Sequence, residues 1–199
     1  MDTAVALVQS YLYMNGYFTV TEYPVLELMG GGDYRTVTDV DVLALRIPGA
    51  GRPDAPVGSP TIALDPVLDV DRGRMDLIIA EVKEGRAELN ASARDDRVLR
   101  AALSRFGAVP DEQIAGVIEE LLEDGEAEHP EGIRVRLMAF GGRPPQHSDG
   151  SYSWMLLGDL VGFIHRTLGE HWAAAQTLQS KDPALSFLLM LEKAVRGER

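Results

Sequence analysis

Apolar residues recur over the first fifteen positions with helical spacing. Ala4, Val8, Tyr11 and Leu12 share one stripe behind Asp2, which suits an N-cap. The spacing predicts a helix over 3–15. Gly16 in "NGY" suits its stop, because glycine enters the left-handed region without steric penalty. From Tyr17 the period shortens to two. "YFTVTEYPV" (17–25) reads as a strand, "LMGGGDYR" as a turn, and "TVTDVDVLALRI" (36–47) as a second strand. Strict alternation puts Val37, Asp39, Asp41, Leu43 and Leu45 on one face of that strand, with Val40, Val42 and Ala44 on the other. Residues 48–60 gather Pro and Gly and read as an exposed loop. "TIALDPVLDVDRGR" supports only a short strand or turn, and "MDLIIAEVKEG" (75–85) is the third strand.

The pattern turns mainly helical thereafter. "ARDDRVLRAALSRFG" (93–107) and "PDEQIAGVIEELLEDG" (110–125) each end on a glycine, and the second carries Ile114, Val117, Ile118, Leu121 and Leu122 on one stripe. "IRVRLMAF" (133–140) is a strand with Arg134 and Arg136 on one face, read as a solvated edge rather than a phosphate-binding one. Helices follow over 157–178 and 183–195, the last with Pro183 at its first position. The acidic stretch "EELLEDGEAEHPEG" reads as a solvated helix end, and Trp154 and Trp172 as packing residues. His165 and His171 stand six apart, a spacing that does not bring two ligands onto one helix face. The expected organisation is a single α/β domain over 1–199. Its core lies in 1–100, and 101–199 forms a mainly helical elaboration with one strand near 133–140.

Composition narrows the function classes. The 199 residues contain no Cys, which removes disulfides and thiolate zinc sites. No apolar run reaches the roughly 18 residues of a membrane span, and the N-terminus lacks the basic start of a secretory signal. A cytoplasmic protein without a membrane partner is expected. The net charge of −12 opposes non-specific attraction to polyanions. Nucleic-acid binding then needs a local basic surface, a bridging cation or an oligomeric groove such as a homodimer would form.

One polar constellation stands out against this background. Glu81 and Lys83 project from the same face of the third strand, just past the apolar run Leu77–Ala80. If the second and third strands are neighbours, Asp39, Asp41, Glu81 and Lys83 gather on one sheet face. Carboxylates at the end of apolar strands are costly to bury unless paired or bound to a cation. Hard oxygen donors of this kind suit Mg²⁺ or Mn²⁺ together with substrate phosphate. The bland alternative is a strand end emerging into solvent with a cross-strand ion pair.

"TDVDVLA" (38–44) followed by "LIIAEVKEG" (77–85) resembles the core motif of the PD-(D/E)XK nuclease superfamily. There an acid-x-Asp strand pairs with a Glu-x-Lys strand, as in four-way-junction resolvases and Mrr-like restriction enzymes. The resemblance covers roughly residues 1–100. It implies a restriction-endonuclease-like mixed central sheet flanked by helices, here with a helical C-terminal extension. It also implies metal-dependent hydrolysis of nucleic-acid phosphodiesters, DNA in the first instance, in repair or defence. Carried over, Asp41 and Glu81 are the metal ligands, Lys83 the catalytic lysine, and Asp39 a secondary ligand. Where many members place a Glu on the first helix, this chain has Ala4 to Val8, and only Asp2 is acidic. "PD" at 53–54 is read as coincidental.

Two rivals are carried forward. One is a catalytically silent nuclease-like domain acting as a binding or assembly module. The other is a winged-helix-like unit over 97–140. Its second helix carries six acids and no Lys or Arg over 111–124, which argues against reading DNA with that helix and leaves a protein-interaction role.

Overall fold

A computed structural model describes residues 2–50 and 63–197. The first three strands form a meander: β1 (Phe18–Leu28), β2 (Tyr34–Arg46) and β3 (Met75–Arg86), each antiparallel to the next. Helix α1 (Thr3–Met14) precedes them. Asp2 is its N-cap, with Oδ1 accepting the Ala4 amide at 2.7 Å, and Gly16 past its end has φ +85°. A short 3₁₀ turn (Pro66–Leu68) lies between β2 and β3. Most of the loop expected over 48–60, including "PD" at 53–54, falls outside the described residues.

The second half is mainly helical, but it adds three strands to the sheet where one was expected. After α2 (Asp96–Phe106) and α3 (Ile114–Asp124) it supplies β4 (Glu126–His129), β5 (Ile133–Arg143) and β6 (Ser153–Leu156). β5 lies parallel to β3 from Met75↔Ile133 to Arg86↔Arg143. A parallel neighbour requires a long crossover, and α2, α3 and β4 provide it. The other edge of β5 is shared: β4 pairs antiparallel with its first residues and β6 parallel with Met138–Gly141. Of these two short strands, β4 replaces what the sequence pattern reads as a solvated helix end, and β6 falls where the pattern assigns no element. The acidic stretch after Leu122 continues as β4, where Glu126 binds Arg134.

The result is an α/β fold with a mixed, curled sheet ordered β1-β2-β3-β5-β4 and helices on both faces. On one face α1 packs with α4 (Leu157–Glu170), α5 (Trp172–Ala175) and α6 (Pro183–Arg196) over Val42, Ala44, Ile78, Ala80, Met138 and Phe140. On the other, α2 and α3 cover Leu43, Leu77, Ile79, Val135, Leu137 and Ala139. Burial on both faces explains why Leu77–Ala80 is an unbroken apolar run. Among the described residues no helix is long and apolar enough to cross a membrane.

Arg136 overturns the expectation of a solvated arginine edge. It is buried to 3% exposure, and its Nε and Nη2 take both oxygens of Asp76 at 3.1 and 2.6 Å. Nη1 donates to the Leu68 carbonyl, while Tyr17 Oη accepts from Nη2 and donates to Asp76. Arg134 is likewise committed, to Glu126 and Asp69.

Candidate metal centre at the fork between two strands

β2 and β3 part company at one point. Their ladder ends at Val42↔Ala80; beyond it β2 continues with β1 alone, and β3 continues with β5 to Arg86. The next step of the register sets Asp41 opposite Glu81. Asp41 therefore stands in the fork, and its Oδ2 accepts the backbone amide of Val82 at 2.7 Å. A carboxylate fills the position where a continuing β2 would have offered a carbonyl.

The alternation expected for β2 is interrupted here. Val40 packs in the same layer as Leu43, whereas Val42 and Ala44 pack in the opposite one. The side of the sheet therefore switches around Asp41. Across the strand pair, Thr21↔Val42 and Tyr23↔Val40 bracket Glu22, which falls opposite Asp41 with φ +52°. A left-handed glutamate inside a strand is uncommon. Glu22, Asp41 and Glu81 thus occupy one row across three adjacent strands. Asp2, at the start of α1, joins the row through its own amide, 3.4 Å from Glu22 Oε1.

Electrostatics agree with the geometry. Burial holds the Asp41 carboxyl above its usual range, and the carboxylates of Asp2 and Glu22 raise it further against the Val82 amide and Lys83. Burial likewise raises Glu81, with the Asp41 charge as the next cause, while Lys83 and Asn90 pull it down. Asn90 Nδ2 donates to Glu81 Oε1 at 2.7 Å. Lys83 Nζ lies 3.7 Å from the same oxygen, an ion pair longer than a hydrogen bond. Lys83 lies at the last regular step of the β3–β5 ladder before the pairing becomes irregular. Its register partner is Gly141, and a Cβ there would collide with the Ala87 backbone.

Of the four residues singled out in the sequence, the fold brings Asp41, Glu81 and Lys83 together. Asp39 is exposed on the rim of a shallow cleft that Thr38, Glu81 and Asn90 also line. The charges acting on Asp41 come instead from Asp2 first, then Lys83, then Glu22. Neither Glu22 nor Asn90 could be read from the sequence. Glu22 enters only through the irregular backbone of β1, and Asn90 through the turn after β3.

The donor set suits a hard divalent cation. Among the described residues Asp41 Oδ1 and Glu81 Oε2 accept no hydrogen bond, and both carboxyls are held above their usual range by burial and, less strongly, by neighbouring carboxylates, effects that a cation would offset. No three His, Asp or Glu side chains of the described residues converge closely enough to form a ready-made cage. Compared with family models, curated proteins and solved structures, the chain matches none.

Proposed function

We propose that the fork is the active site of a metal-dependent nuclease of the PD-(D/E)XK type, and that the fold is a restriction-endonuclease-like one. The observation that carries this reading is the opposition of Asp41 and Glu81 across the point where β2 and β3 separate, with Lys83 beside Glu81. Supporting it, a helix, a strand, the Asp41 strand, the strand of Glu81 and Lys83 and then a helix follow one another along the chain.

Asp41 Oδ1 and Glu81 Oε2 would hold Mg²⁺ or Mn²⁺, with Glu22 and Asp2 adding negative charge nearby. Such an ion would polarise the scissile phosphate and activate a water. Lys83 would place its ammonium against the phosphate oxygens, where charge grows in the transition state. Asn90 would keep Glu81 from turning away. Arg86 and Arg143 are register partners just beyond Lys83 and would offer a small approach with two cations, alongside Glu84 and Glu88, in a chain of net charge −12. That approach, not the molecule's overall field, would receive the DNA backbone.

The test is cleavage of supercoiled, linear and single-stranded DNA, and of RNA, in Mg²⁺ or Mn²⁺ against EDTA. Metal-dependent cleavage lost in both Glu81→Ala and Lys83→Ala supports the reading. Cleavage that survives both substitutions rejects the site. The silent-module reading predicts instead DNA retention without cleavage under every metal condition.

A further inference from the structure

We infer that the outer face of α6 is a homodimer interface, packed antiparallel against α6 of a second copy. The helix buries Leu185, Leu189 and Glu192. The opposite face presents Pro183, Phe187, Met190, Leu191, Ala194 and Val195, at the three- and four-residue spacing of a helix–helix seam. Phe187, Met190, Leu191 and Val195 are 55, 50, 41 and 80% exposed, with no charged side chain among them. A surface helix ordinarily turns a polar face to water.

Among the described residues the stripe packs against neither core cluster, and α6 is fixed at both ends. At the N-terminus its cap Asp182 accepts from Ser10 on α1 at 2.6 Å. Near the C-terminus the buried Glu192 meets His165 of α4 at 2.9 Å and Arg196 at 2.6 Å, and Arg196 lies over the Trp172 ring. The apolar face is therefore held outward.

Shape and charge favour a second copy. The bulky Phe187 lies toward one end and the smaller Ala194 and Val195 toward the other, with Met190 and Leu191 between. A twofold axis near Met190 and Leu191 sets large against small at both ends, whereas a parallel arrangement would stack Phe187 on its equivalent. Over 181–196 the chain carries Lys181, Lys193 and Arg196 against Asp182 and Glu192, a net +1 within a molecule of −12. This face is thus one of the places where two copies can meet without strong repulsion. Antiparallel packing also opposes the helix dipoles, setting each Lys193 end beside the other copy's Asp182 end. The stripe, with Pro183, Ala194 and the Lys193 stem, offers roughly 500 Å² per copy, or about 1,000 Å² in total, which places the dimer among reversible interfaces.

Sedimentation equilibrium of the full chain from roughly 5 to 500 µM should show monomer converting to dimer, with a dissociation constant on the order of 10–100 µM. Met190→Glu and Val195→Asp should each weaken it at least about tenfold, with unchanged circular dichroism because both side chains are exposed. Since the chain has no Cys, Leu191→Cys adds a single thiol, and mild oxidation should give a disulfide-linked dimer. Wild-type protein that stays monomeric to the highest concentration overturns the proposal. So does a dimer that neither charged substitution weakens.

Discussion

Asn90 Nδ2 donates to Glu81 Oε1 at 2.7 Å while Asn90 Oδ1 accepts the Ala93 amide, so one side chain ties the turn after β3 to the carboxylate at the fork. The turn is thereby a fixed support for Glu81. Asn90→Ala should lower the affinity for Mn²⁺ about 10–100-fold, as loss of a ligand's orienting partner does elsewhere. Titration calorimetry measures it. Unaltered affinity would mean that Asn90 does not hold Glu81 for a metal.

Asp76 and Arg136 form a buried, two-pronged pair across the parallel strands β3 and β5. Removing one partner strands the other charge among apolar side chains. Asp76→Ala should therefore cost about 3–5 kcal/mol in urea unfolding. Replacing both residues together with Leu and Met should recover most of that loss, since the pair's own desolvation disappears with it.

Asp95 caps α2 by accepting the Arg97 amide at 2.9 Å. Its carboxylate also takes the Arg97 guanidinium, which holds it down to about 2. A depressed carboxyl stabilises the fold above its unfolded value near 4, and that contribution fades as pH falls toward 2. Asp95→Ala should cost about 1 kcal/mol at neutral pH, chiefly through the lost cap. Thermal melts should show the gap between wild type and variant constant above about pH 5 and closing in acid. A gap that widens in acid would contradict the assignment.

Strands β1, β2, β3 and β5 were legible because their sequences carry a local pattern: alternation in β1 and along most of β2, and an unbroken apolar run in β3. β4 and β6 were not, because four-residue strands such as "EAEH" and "SWML" carry no period of their own and exist through β5. Arg136 gave the same sequence signal as Arg134, yet it is buried because Asp76 stands 60 residues away in sequence and beside it in space. At the candidate site, Asp41, Glu81 and Lys83 were visible through the spacing on two strands. Glu22 was hidden by regular alternation, which would have grouped it with Val20 and Phe18. Only the left-handed backbone at Glu22 and the switch of sides around Asp41 bring it into the row.

In the proposed centre a divalent cation would bind in the row through Asp41 and Glu81. Calorimetric titration of Mn²⁺ into wild-type protein, Asp41→Asn and Glu81→Gln near neutral pH tests it most directly. The account predicts saturable binding at one class of site in wild type, abolished in both variants, with all three proteins equally folded. No saturable heat in wild type, or unchanged binding in both variants, would contradict it.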